Sequence, residues 1–222
     1  MSPAGILLTL GIFAVVGGLA FYFAAKRRKE LSEWAGANGL TFDPGKDHQL
    51  GDRFGHFRVF GQGRDRYASN IMQGRWAGKD VLAFDYHYTT GSGKSRQTHT
   101  FSAVILVSGV PLNPLLIRPE GFGDKVAEFF GADDIDFESS EFSRRFFVKS
   151  GDRKWAYDVI HPRMMEFLLS AGKFHIEMGL IHVLVYRSAC FGPRDYTDAC
   201  HLAAGILDRL PGYLVRQQGN LQ

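Results

Sequence analysis

The sequence predicts an α+β protein: one N-terminal transmembrane helix, then a mainly antiparallel β-sheet domain carrying three or four helices. Three observations predict it. Residues 1–25 hold no charged side chain, and Ile6 to Ala25 is an apolar run interrupted in polarity only by Thr9, three glycines and the Tyr22 hydroxyl. Between residues 71 and 118, β-rich segments follow one another across short turns, the pattern of an antiparallel meander. Helical spacing is concentrated after those strands rather than alternating with them, which separates α+β from α/β.

The anchor is assigned to residues 1–25. As a helix its apolar run Ile6–Ala25, 20 residues, spans roughly 30 Å, the thickness of a bilayer's hydrocarbon core. A cleaved signal peptide would carry its basic stretch before a shorter apolar core. Here the basic residues Lys26, Arg27, Arg28 and Lys29 follow it. Basic flanks stay in the cytoplasm, so the chain is expected in the cell membrane as a single-pass protein, N-terminus outside and C-terminal domain inside. These four residues read as a membrane flank facing lipid headgroups. The domain's fold is expected not to depend on them.

Residues 26–39 form the expected juxtamembrane helix, with Leu31, Trp34 and Ala35 on one face and Asn38-Gly39 as its stop. The domain occupies 40–222. Its first strand is placed at Leu40–Phe42, and loops at 43–55 and 61–68 flank a short strand at Phe57–Phe60. Ile71–Trp76 and Val81–Thr90 form a hairpin around Ala77-Gly78-Lys79. On the second of these, Leu82, Phe84, Tyr86 and Tyr88 share one face, and Ala83, Asp85, His87 and Thr89 the other. A polar loop leads to strands at Thr98–Ser108 and Pro114–Arg118. Then come a helix at Asp124–Phe130 and strands at Ile135–Phe137 and Arg145–Lys149. Pro162 opens a helix running to Ala171. Phe174–Met178 and Ile181–Arg187 are read as a hairpin around Gly179. A last helix runs from about Tyr196 to Leu210, with Asp195 as N-cap and Cys200 on its apolar stripe.

Charge excludes one class of partner. Without the flank the chain holds 22 basic against 23 acidic residues, so no basic surface for nucleic acid is expected. Gly91-Ser92-Gly93-Lys94-Ser95 imitates the end of a phosphate-binding loop. It lacks the leading glycine, where Tyr88 stands, and a strand follows instead of a helix, so it reads as a hairpin loop that binds no nucleotide. Cys190, Cys200, His175, His182 and His201 have none of the tight spacings of metal sites. No metal and no cofactor is expected, and the cysteines are expected reduced.

Several segments together resemble a family of bacterial single-pass membrane-anchored proteins of unknown function. They are the stretch from Glu30 to Gly39, then Val81-Leu-Ala-Phe-Asp-Tyr-His-Tyr88. The stretches from Asp134 to Phe146 and from Ala156 to Glu166 complete the set. The resemblance covers about Glu30 to Arg187. The family has Asn where Ser143 stands, so this chain departs there. The resemblance implies the anchored topology and one domain, and no activity or catalytic residue.

Two functions compete. The first is a membrane-tethered, non-catalytic module that binds a protein partner or small ligand, through a surface around Asp85, His87, Glu141, Arg144 and Arg145. The alternative is a membrane-anchored hydrolase with a cleft near Asp85, His87 and Glu141. No Gly-x-Ser-x-Gly elbow is present, and nothing in the spacing links base, orienter and charge-stabilising group, which favours the module. The bilayer is the first partner. Ala14 and Gly18, with Gly17 adjacent, are spaced for close helix approach, so a homodimer through the transmembrane helix is a further candidate partnership.

Overall fold

The structure, a computed structural model, describes residues 3–120 and 135–214, with side chains excluded at 3–14 and 16. Among the described residues, α1 (Pro3–Ala37) leads into β1 (Thr41–Asp43) and the single-turn α2 (Leu50–Arg53). The long strands β2 (Arg64–Trp76), β3 (Lys79–Thr90) and β4 (Gln97–Pro119) follow. Then come α3 (Ser140–Arg145), β5 (Phe146–Ser150), α4 (Arg153–Val159), α5 (Pro162–Ser170), β6 (His175–Arg187) and α6 (Pro193–Asp208). The expected helix Asp124–Phe130 lies outside the described residues.

The class is α+β with an antiparallel sheet. Its strands run in the order β1-β2-β3-β4-β5, and β6 pairs with the other edge of β4. β4 is the axis: residues 97–106 pair with β3, residues 115–119 with β5, and its opposite edge pairs with β6 from Ser102 to Ile117. The β2–β3 hairpin turns at Ala77 (φ 49°) and Gly78 (φ 77°), the double positive φ that matches a tight turn to strand twist.

The end of α1 follows from its sequence. Gly39 takes φ 69°, the Leu40 amide donates to Ala35 O at 2.8 Å and the Gly39 amide to Gly36 O at 3.2 Å. This is a Schellman closure, sealed by burial of Leu40. Upstream the helix is unbroken back to Pro3, so the juxtamembrane segment is no separate element. Leu31, Trp34 and Ala35 are buried on the sheet as their spacing predicts. Val15, Leu19, Phe21, Tyr22 and Phe23 are exposed. Residues 6–14 and 16 of the expected anchor lie outside the described side chains. Among the described residues no helix is long and apolar enough to cross a membrane.

Both faces of the sheet are covered. On one, Val81, Ala83, Val104, Val183 and Val185 pack under α1, α4, α5 and α6. On the other, Phe84, Tyr86, Phe101, Ile105 and Leu184 meet Leu50, Phe57, Val59 and Phe60. The short strand expected at Phe57–Phe60 is instead a 3₁₀ turn at Arg58–Gly61 that drops Phe57 and Phe60 into this second core. Residues 64–68, expected as loop, begin β2.

The expected hairpin around Gly179 is one strand. β6 runs unbroken along β4, and the glycine marks an irregularity in register where Leu180 takes φ 55° opposite Leu112. Gly109 (φ 76°) sits at the matching irregularity in β4, which merges the two strands expected at 98–108 and 114–118. Ile135–Phe137 forms no named strand, although the Ile135 amide donates to Val148 O at 3.0 Å. Helices α3 and α4, capped by Ser139 and Asp152, were not foreseen. Gly192, not Asp195, caps α6. Asp195 lies one turn further in and accepts from the Gly192 amide at 2.9 Å.

Candidate functional site

The expected surface around Asp85 does not form. Asp85 points from β3 to the helix-covered face and is buried, 2% exposed. Its carboxylate gathers donors from four elements. Arg27 of α1 makes a forked contact, Nη2 to Oδ1 at 2.7 Å and Nε to Oδ2 at 3.1 Å. Asn70 of β2 donates to Oδ2 at 2.8 Å and Tyr196 of α6 to Oδ1 at 3.0 Å. The Ser102 hydroxyl of β4 donates to Oδ1 and itself accepts from the Phe191 amide at 2.8 Å. Asn70 reaches inward from a β-bulge, at φ 51°. Arg27 also donates through Nη1 to Phe191 O at 2.9 Å.

A buried charge is tolerated when paired and hydrogen-bonded on its remaining lone pairs, and this one is. Burial opposes the charge on Arg27, but the hydrogen bond and charge of Asp85 outweigh it and hold the guanidinium above its ordinary pKa. Burial of the Tyr196 phenol, then the Asp85 charge, keeps that hydroxyl protonated as a donor. Arg27 is therefore more than a topology signal. Lys26 and Lys29 behave as flank residues, exposed and only loosely paired along the helix with Glu30 and Glu33.

His87 lies two residues on, half-buried on the same face. Its Nε2 meets Ser69 Oγ and its Nδ1 meets Thr100 Oγ1, each at 2.9 Å, and its ring stacks on Tyr67 at 4.5 Å. Burial lowers its pKa, against the partial opposition of Asp85. Both nitrogens are thus occupied by hydroxyls, a packed structural role. Glu141, Arg144 and Arg145 sit exposed on α3. There Glu141 pairs with Arg145 at 3.7 Å and Arg144 Nε donates to Ser140 O. No contact joins them to Asp85 or His87 among those the described residues make.

The other expectations fall as follows. Gly93–Ser95 is an exposed 3₁₀ turn between strands, closed by mutual bonding of Ser92 and Ser95. Isothermal calorimetry with ATP is expected to give no saturable heat, unchanged by Lys94→Ala. Micromolar binding lost in the variant would refute that. Both cysteines are free, Cys200 buried on the apolar stripe of α6. Among the described residues no group of three metal-ligating side chains converges.

A second polar group, on the opposite face, has no local signal in the sequence. Glu177 of β6 is 8% exposed and accepts from the Tyr186 hydroxyl at 2.9 Å. Burial pushes its pKa up to about 7, against the Tyr186 hydrogen bond and the charge of Arg58. His175, stacked on Tyr186 at 4.9 Å, is pushed down to about 4 by burial and by Arg118. Beside them opens a hollow of about 430 Å³ lined by Tyr88, His99, Phe101, Arg118, His175 and Tyr186, among others. Glu177 and Arg118 escape a sequence reading because a register irregularity follows the first along β6 and precedes the second along β4. Period-two counting carried across the irregularity, forward along β4 or back along β6, then assigns them the wrong face.

Glu177 has a measurable consequence. Its folded pKa exceeds the unfolded value near 4.5, so the folded state holds the proton more tightly. Stability contributed by this group is present below pH 4.5 and is lost as pH rises through about 7. His175 acts oppositely below its ordinary value of 6.5, where only the unfolded chain readily protonates. Glu177→Gln removes the first slope alone. The variant is expected to gain on the wild type, by on the order of 2 kcal/mol, between pH 5 and 8 in urea unfolding. A stability difference that does not change with pH would sink this account.

No family model matches the chain, and no curated protein matches it. Among solved structures, the chain is similar to the crystal structure of the mycobacterial trehalose monomycolate transport factor A, TtfA. The TM-score is 0.61 at 15% identity, over 82% of this chain and 92% of that one. At that identity the likeness is one of fold.

Proposed function

We propose that the protein is a non-catalytic binding module tethered to the membrane by the N-terminal part of α1, its domain in the cytoplasm. The Arg27–Asp85 node carries the reading. A helix whose upstream part presents Val15, Leu19, Phe21, Tyr22 and Phe23 to the outside is fastened by a buried ion pair to the centre of the sheet. Apolar side chains bared along one helix call for a covering phase, and a bilayer meets that need. The groups that the hydrolase reading required are engaged elsewhere: Asp85 by its donors, His87 by two hydroxyls, Glu141 by Arg145. The similar mycobacterial protein is a transport factor, and a binding role related to transport is the coarse class that we carry to this chain.

The expected result is that the full chain stays with membranes through an alkaline wash, and that a C-terminal reporter is active only inside the cell. In-cell crosslinking should recover a specific partner or ligand. A reporter active only outside would overturn the topology. Turnover of a metabolite by the wild type but not by His87→Ala, without a crosslinked partner, would overturn the binding reading.

A further inference from the structure

We propose that the tip of the β3–β4 hairpin is a second membrane contact, at which Arg64, Lys94 and Arg96 engage the anionic headgroups of the leaflet that faces the domain. The proposal rests on the tethering reading and deepens it, by naming the surface that the domain turns to the bilayer and the class of lipid it meets.

The course of α1 decides which end of the sheet is turned to the bilayer. Just past the end of the helix, Thr41 pairs with Gln73 of β2, which pairs in turn with Leu82 of β3. Further along β3, Arg27 grips Asp85. Traced from its end toward its start, α1 therefore climbs β3 in the direction in which that strand continues to Thr90. It does so obliquely, passing from Trp76 of β2, which stacks on Trp34, to Asp85. The apolar stretch with Val15, Leu19, Phe21, Tyr22 and Phe23 thus leaves the sheet at the end where residues 91–96 form the hairpin tip. The 77–78 turn lies at the other end. Because β3 runs on beyond Asp85 before the tip begins, the tip stands past Arg27 on the side of the proposed bilayer.

The tip has the charge and the access that such a contact needs. Residues 91–98 are all exposed. Residues 86–119 include no Asp or Glu, while Lys94 and Arg96 both fall on the tip. Arg64 joins them from β2, in register with Thr89. One carboxylate serves these three cations: Asp65 accepts from Arg96 Nη2 at 3.1 Å and lies 3.9 Å from Arg64 Nε. Arg66, the next cation along β2, is matched by Asp52. Lys94 pairs with no acid among the described residues, so the tip keeps a surplus of positive charge. Gly91 and Gly93 take φ 69° and 53°, which makes the turn tight and adds no side chain that would hold the cations off a surface. A phosphate-binding loop needs a cradle of amides at a helix start, which this turn lacks. A headgroup array needs only cations within reach of an anionic surface.

The test uses the full chain in nanodiscs, with amide hydrogen exchange followed by mass spectrometry. In phosphatidylcholine discs the amides of residues 91–96 are expected to exchange freely. In discs where phosphatidylglycerol replaces part of the phosphatidylcholine they are expected to slow by about tenfold, and to recover in high salt. The 77–78 turn, at the far end of the sheet, should exchange alike in both. Lys94→Gln with Arg96→Gln should remove the difference, and since both side chains are exposed the fold is not at stake. Equal exchange of residues 91–96 in the two discs overturns the proposal. So does slowing that persists in the double variant or that appears equally at the 77–78 turn. Slowing produced in phosphatidylcholine discs by inorganic phosphate alone also overturns it, because that assigns a soluble ligand. The tethering reading stands on the alkaline wash: a chain that stays with membranes but shows no protected tip loses this proposal alone, and a chain that the wash releases loses both.

Discussion

Arg27→Ala is expected to cost on the order of 3 kcal/mol and to lower the melting temperature of the full chain by about 10 °C. The loss comes from what is left behind. Asp85, its side chain 3% exposed, would keep Asn70, Ser102 and Tyr196 as donors and lose its only cationic partner among the described residues. Breaking one half of a buried pair is far more damaging than removing both, because the survivor stays charged where water cannot reach it. Arg27→Ala with Asp85→Asn should therefore recover part of the loss, since the amide restores neutrality. Gln at Lys26, Arg28 and Lys29 together should change stability by less than about 0.5 kcal/mol, as exposed flank charges do. Thermal unfolding in detergent checks all three. If Arg27→Ala behaves like the triple Gln variant, the buried-pair account is wrong.

Phe60→Ala is expected to be comparably severe, at about 3–5 kcal/mol. Phe60 is fully buried, with its ring 4.9 Å from Tyr86, 5.7 Å from Phe84 and 6.2 Å from Phe101. Its carbonyl also accepts from the Tyr86 hydroxyl at 2.8 Å, so the turn and the sheet are joined by both packing and a hydrogen bond. The cover on this face is a short segment without a long helix, and it has little means of collapsing into the space vacated. Urea unfolding should show the loss as a lower midpoint. A loss below 1 kcal/mol would mean that the turn is not part of the cooperative fold.

Local signals were legible in the sequence where one principle acts alone. The Leu31, Trp34 and Ala35 face, the Asn38-Gly39 stop, the 77–78 turn and the Pro162 helix start all depend on neighbours within a few residues. Signals that depend on a distant partner were not. Arg27 is one of four consecutive basic residues, and nothing local separates it from Lys26 or Arg28. Only the rotation of α1 against the sheet turns it inward. Asp85 in an alternating strand looks solvated until α6 and α1 cover it. Gly179 punctuates the sequence like a turn, yet pairing with β4 on both sides keeps β6 one continuous strand.

The unbroken course of α1 has a further consequence for how the molecule is posed. Arg27 follows Ala25 by two residues, about 3 Å along a helix, so the anchoring proposed here leaves no pliant spacer between bilayer and sheet. The domain would then hold a set standoff and compass bearing at the membrane, unlike a head on a floppy tether. One residue inserted between Phe21 and Arg27 would swing the anchor about 100° relative to the domain. Such an insertion would re-aim every surface of the domain toward its neighbours in the membrane plane without altering a single contact within the sheet.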